Sequence, residues 1–156
     1  MGIALTDEEV WAFVAPAHTG VFTTLRPDGH PVPVPVWFVV LDHAVYVRAI
    51  ATTQKVAHIR HDPRTSFLVE DGATWRELRA VLMLGTARVV DDDADLVDRV
   101  AEASRAKYED FRSFNGSLPK VTRSHYNSGS VTLRFVPTET TVSWDNRKIR
   151  TRERSG

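Results

Sequence analysis

Arg48 and the run Thr52-Thr53-Gln54-Lys55 are the part of this sequence best suited to hold an anion. Arginine offers a planar fork of donors, lysine a compact charge and the threonines hydroxyl donors, a mixture that suits a phosphate. Arg48 falls near the end of a β-prone run, Ala44–Ile50, and residues 55–61 have helical character until Asp62-Pro63 stops them. The turn between would open a helix, where unpaired N–H groups and the helix dipole both favour negative charge. Spacing alone favours a plainer reading, with Thr53 as an N-cap and Arg48 and Lys55 solvated.

Other constellations carry less. His58 and His61 stand three apart with Asp62 adjacent, a spacing that can put two imidazoles on one helix face. Arg60 and Arg64 in the same neighbourhood repel cations, so surface histidines are the expectation and no metal site is. Ser124, His125 and Asp145 make a hydrolytic triad on paper, but no nucleophile elbow accompanies them. Trp37, Trp75 and Trp144 fall in strand-like runs, where large aromatics fill a core or wall a site for a planar ring. Trp144 to Lys148 places an aromatic, an acid and two bases near the end of the last strand. Salt-bridged surface is one reading of that segment; contact with a phosphorylated or acidic-tailed ligand is the other.

Composition removes whole classes of function. Twenty Lys and Arg balance twenty Asp and Glu, so the net positive charge that most nucleic-acid binders need is missing. With no cysteine, thiolate catalysis, disulfides and sulfur-held metal clusters are excluded. Asp7, Glu8 and Glu9 stand where a signal peptide would carry bases, and the longest apolar stretch is far too short to span a bilayer. No membrane partner and a cytoplasmic location are expected. At 156 residues the chain reads as a single domain over 1–150 followed by a polar tail, 151–156. Neither GxGxxG nor GxxxxGK occurs, so the two commonest nucleotide-binding loops are absent.

The elements that must position these residues follow from periodicity and punctuation. Thr6 and Glu9 predict a capping box opening a short helix that ends at Pro16. Two β-prone runs, 20–26 and 30–41, flank Pro27-Asp28-Gly29 and predict a hairpin. Pro31, Pro33 and Pro35 alternate, so one side of that second run cannot donate ladder bonds, which suits a sheet edge. Asp42-His43 predicts a further turn. Strands follow over 65–70 and 75–90, the longer one broken by Gly85. Asp91-Asp92-Asp93 reads as the start of a helix to about Tyr108. Residues 111–127 are the longest irregular stretch, and 131–136 with 141–149 form a closing hairpin. Six or seven strands joined by short turns, with three helices, predict a mainly β (α+β) antiparallel barrel rather than βαβ units.

Five strings, in order along nearly the whole chain, carry a family resemblance. They are Thr23-Thr24-Leu25-Arg26-Pro27-Asp28-Gly29; Pro35-Val36-Trp37-Phe38; Lys55-Val56 through Asp62-Pro63-Arg64; Glu77-Leu78-Arg79 with Gly85-Thr86-Ala87; and Ser143-Trp144-Asp145 with Lys148. Together they resemble the pyridoxamine phosphate oxidase-like superfamily of FMN-binding split barrels, most strongly its actinobacterial branch of deazaflavin-dependent reductases. The resemblance implies a split-barrel homodimer with cofactor sites at the subunit interface, holding the deazaflavin coenzyme F-420 or FMN. It assigns the phosphate to Arg48, Thr53 and Lys55, with Thr52 and Gln54 in the same turn, and lays Pro35, Val36 and Trp37 beside the ring. Trp75, Trp144 and Lys148 become further cofactor or pocket contacts, with no residue assigned to catalysis. The fuller basic set that typical pyridoxamine phosphate oxidases devote to FMN and substrate phosphate is missing. A reductase of an unsaturated small molecule, preferring F-420, is therefore implied; an FMN oxidase or reductase and a non-catalytic flavin-storage protein are the alternatives.

Overall fold

The computed structural model describes residues 2–112, 119–120 and 129–150. Its elements run α1 (Asp7–Val14), β1 (Gly20–Leu25), β2 (Pro31–Val36), β3 (Val39–Leu41), β4 (Ala44–Ile50), α2 (Gln54–His61), β5 (Arg64–Asp71), β6 (Arg79–Val90), α3 (Ala94–Tyr108), β7 (Ser130–Pro137) and β8 (Val142–Asp145). All pairings are antiparallel, in one curled sheet ordered β2-β1-β5-β6-β7-β4-β3, with β8 added on β6. This is the expected α+β antiparallel split barrel.

Local chemistry sets the turns. Thr6 accepts from Glu9 N while Glu9 accepts from Thr6 N, so the capping box forms as predicted. Gly29, at φ 84, closes the β1–β2 hairpin. Asp42 and His43 take φ 50 and 56, the paired left-handed residues of a tight hairpin whose twist matches its strands. Asp93 caps α3 by accepting from Leu96 N, which puts the acid run at a helix start.

Three expectations are corrected. The run 30–41 is not one strand: it breaks at Trp37-Phe38, sending β2 to β1 and β3 to β4 at opposite ends of the sheet order. That break is the split. The alternating prolines fit it, because β2 is an edge whose one partner strand among the described residues is β1. The closing hairpin does not form either; β7 lies between β6 and β4, and β8 pairs with the first third of β6. Gly85 makes this sharing possible. A Cβ there would collide with the Val136 carbonyl, so only glycine lets the end of β7 cross so closely. Finally, Trp75 stands on a 3-10 turn, Trp75–Glu77, rather than in a strand, and Trp37 lies between strands. The 111–127 stretch falls mostly outside the described residues, as do Ser124 and His125.

Opposite faces of β4 feed different layers, as strand alternation requires. Val45 and Val47 join Phe22, Phe38, Phe67 and Phe135 in the barrel interior, together with Val10, Phe13 and Val14 of α1 and Val56 and Ile59 of α2. Each such fully buried aromatic contributes about 1.5–3 kcal/mol. Ala44 and Tyr46 point the other way and pack under Val100 of α3.

Candidate functional site

The end of β4 and the start of α2 build one corner. Arg48 shares the outward face of β4 with Tyr46 but is exposed, and its Nη2 donates to Ser130 Oγ at 3.1 Å. Ser130 opens β7, beside Ile50 in the ladder. It is a member of the corner that sequence reasoning missed, because no local pattern announces which strand lies beside β4. Ala51 N then bonds Gly129 O, and Thr53 closes the turn twice, through its N–H and its hydroxyl to Ile50 O.

Thr53 occupies the N-cap position of α2 with extended backbone angles, yet its side chain makes no capping bond. Its hydroxyl proton goes back to Ile50 instead. The N–H groups of Gln54 and Lys55 therefore have no acceptor within the helix, and no acid sits in its first turn. Thr52 and Gln54 are exposed beside them. Lys55 is partly buried, and burial pushes its ammonium below the usual lysine range. Among the described residues no carboxylate lies within ion-pair distance of it or of Arg48. A partly desolvated cation with no carboxylate partner among the described residues, beside N–H groups that lack an intrahelical acceptor and a guanidinium, favours an anion.

The helix is pinned from below. Val56, His58 and Ile59 are buried, and His58 Nδ1 meets Thr24 Oγ1 of β1 at 2.9 Å. His58 is thus a buried strut rather than the expected surface residue. A three-residue helical period places it on the same inward face as Val56 and Ile59, whereas His61 stays exposed. Arg64 is paired with Asp62 at 2.7 Å, and that guanidinium holds the Asp62 carboxyl down at about 2. No cluster of three metal-ligating side chains occurs among the described residues.

The 35–38 segment leads into the same neighbourhood. Val39 stands opposite Tyr46 in the β3–β4 ladder, so the chain entering β3 runs antiparallel to the stretch of β4 that ends in Arg48. Pro35 is exposed on the outer side of β2, Val36 is buried, and Trp37 remains 38% exposed with its indole stacked on Tyr108.

Trp75, Trp144 and Lys148 gather elsewhere, around the N-terminal segment. Trp75 is 68% exposed, while its carbonyl accepts from Asn146 Nδ2 at 2.6 Å. Trp144 is partly buried opposite Ala80. Asp145 N bonds Ile3 O, and Leu5 N bonds Ser143 Oγ. Lys148 Nζ donates to Ala4 O at 3.0 Å and to Glu9 Oε2 at 2.7 Å, and Arg147 forks onto Asp145. An open cleft of about 960 Å³ lies between Gly2–Ala4 and residues 147–150. Both Arg147 and Lys148 on its wall already face a carboxylate, as the salt-bridged reading of this segment expects.

An antiparallel split barrel with an anion-ready corner after β4 defines a class of cofactor-binding folds. Residues 6–142 match the family model described as pyridoxamine 5'-phosphate oxidase, and the chain belongs to that family. It is similar to the conserved hypothetical protein Rv2991 of Mycobacterium tuberculosis at 31% identity, covering 99% of this chain and 94% of that one with a TM-score of 0.78. More distant structures share the fold. An FAD-binding protein of Mesorhizobium loti is 16% identical, with 88% and 92% of the two chains covered and a TM-score of 0.67. A protein described as an F420 reductase is 18% identical, with 85% and 94% covered and a TM-score of 0.62. The heme storage protein HutZ of Vibrio cholerae is 14% identical, with 92% and 96% covered and a TM-score of 0.65. None of the curated proteins matches the chain. No helix among the described residues is long and apolar enough to cross a membrane.

Proposed function

We propose that this chain binds the deazaflavin coenzyme F-420, with its phosphate at Arg48, Thr52, Gln54 and Lys55, and works as a homodimeric oxidoreductase. The observation that carries the reading is the half-buried Lys55 ammonium, without a carboxylate partner among the described residues, at the start of an α2 that has neither a side-chain cap nor an acid in its first turn. A phosphate fits there because it supplies the missing charge and accepts from the Gln54 and Lys55 N–H groups together. Thr53 takes a structural part, shaping the turn through Ile50. Val36 and Trp37 border the ring, and Lys148, paired with Glu9, holds the N-terminal segment.

The chemistry such a coenzyme supplies when bound is hydride donation from its ring C5 to an unsaturated small-molecule acceptor. The protein's own contribution is orientation and exclusion of water. Among the described residues no side chain at the corner is placed as a general acid or base, so none is assigned that role. The outward sheet face bears Val21, Leu25, Pro33, Pro35, Leu68 and Leu84, all at least partly exposed, and a second copy would cover it.

Titrating purified protein with F-420 and with FMN tests the reading. F-420 binding at micromolar or tighter affinity, with reduced F-420 reoxidised by an acceptor, is expected. Tight binding of FMN alone replaces the coenzyme. Binding without turnover on a broad acceptor panel favours the storage reading.

A further inference from the structure

Two side chains at the end of α3 grip the segment where the chain splits. Tyr108 is fully buried. Its hydroxyl accepts from Phe38 N at 2.9 Å and lies 2.8 Å from His18 O and 2.9 Å from Phe38 O, one of which takes its single proton. Its ring stacks on the Trp37 indole at 4.4 Å and 3°. Lys107 Nζ donates to Ala15 O and Phe38 O, each at 3.0 Å, and sits 4.0 Å over the Phe38 ring. Ala15 ends α1, whose last turn has no base of its own, so the ammonium meets the negative end of that helix.

The Phe38 backbone is therefore held at both its N–H and its C=O, in the peptides on either side of the residue, and the Trp37 indole stacks on the Tyr108 ring. Lys107 has no carboxylate partner among the described residues, and burial pushes it down to about 8. A neutral side chain would fill that space at lower cost, so packing alone does not account for a lysine. The Tyr108 ring lies beside its ammonium, and His18 packs in turn against the edge of that ring; these are the other titratable groups of the cluster.

We propose that Lys107 and Tyr108 are positioning residues that set the Trp37–Phe38 edge of the ring site and thereby its affinity for the cofactor. The inference rests on the ring lying along Val36 and Trp37, as in the proposed function.

The test measures F-420 and FMN affinity for wild type, Tyr108→Phe, Lys107→Met and Lys107→Arg, with circular dichroism to confirm folding. Tyr108→Phe keeps the stack and loses the hydroxyl bonds; Lys107→Met loses the charge. Each is expected to weaken binding roughly tenfold and to shift tryptophan emission, with no such shift in a Trp37→Phe background. Lys107→Arg should restore most of the affinity. Wild-type affinity should also show a fall as pH rises past about 8, the value for Lys107; that step should persist in His18→Asn and be absent from Lys107→Arg, which keeps only the decline due to Lys55. If wild type binds cofactor and Lys55→Ala weakens it, yet folded Tyr108→Phe and Lys107→Met bind like wild type, the positioning role is overturned alone. If wild type binds neither cofactor, the proposed function fails and takes this inference with it.

Discussion

Two basic clusters, each at a strand end beside a short helical turn, look alike in the sequence and are built oppositely. Around β8, Arg147 forks onto Asp145 and Lys148 reaches Glu9, so both of these positive charges have partners inside the chain. Around α2, Lys55 is partly buried with no carboxylate in reach among the described residues, and Arg48 meets a serine. The first cluster is a fastener for the N-terminal segment; the second is an incomplete electrostatic site. Residue type does not separate a binding corner from a structural one. What separates them is whether the fold supplies the counter-charge.

The contrast can be broken by substitution. Lys55→Ala should weaken F-420 binding most, by about 10- to 100-fold, the range of a charge-assisted bond, with little effect on folding. Isothermal titration of the pure variant checks this. Arg48→Ala should cost less, roughly fivefold, since Arg48 is exposed and tethered only by Ser130 among the described residues, and Arg48→Lys should recover part of it.

pH separates the clusters further. Lys55 is lowered from 10.5, so it loses its charge earlier than an ordinary lysine, and affinity should decline with rising pH in a window that opens below 10.5. Over that same window the unfolded chain binds more protons, so the stability of the unliganded protein should rise. The fastener behaves the other way. Lys148 lowers Glu9 and Arg147 lowers Asp145, so their stabilisation is present above 4.5 and 3.8 and is lost as pH falls through the depressed values. Chemical denaturation across both ranges, with Glu9→Gln and Asp145→Asn flattening the acid side, reads the signs. The smallest effect belongs to Lys148→Ala, which should lower the melting temperature slightly and leave cofactor affinity within about twofold.

Much of the fold was legible because local chemistry decided it. The capping box at Thr6, the Asp42-His43 turn, the three helices and the edge character of the proline strand each follow from residues next to one another in sequence. Pairing was not. Nothing local distinguishes a continuous run from one that breaks at Trp37-Phe38, because the groups that bond Phe38 there belong to Tyr108 and Lys107, some seventy positions on. The seating of β7 on β6 likewise involves Gly85, where the Val136 carbonyl, distant in sequence, comes too close for any Cβ. At the corner, the residue types around Arg48 and Lys55 were readable, whereas Ser130 and the diversion of the Thr53 hydroxyl to Ile50 were not. His58 was misplaced at the surface because its partner, Thr24, lies on another element.

Amide proton–nitrogen NMR of the labelled protein during F-420 addition tests the central claim directly. The N–H signals of Gln54, Lys55 and Val56 should shift strongly, with those of Asn146, Arg147 and Lys148 nearly still. Shifts confined to the Asn146–Lys148 turn, or none at α2 while the coenzyme binds, would contradict the assignment of the phosphate to this corner.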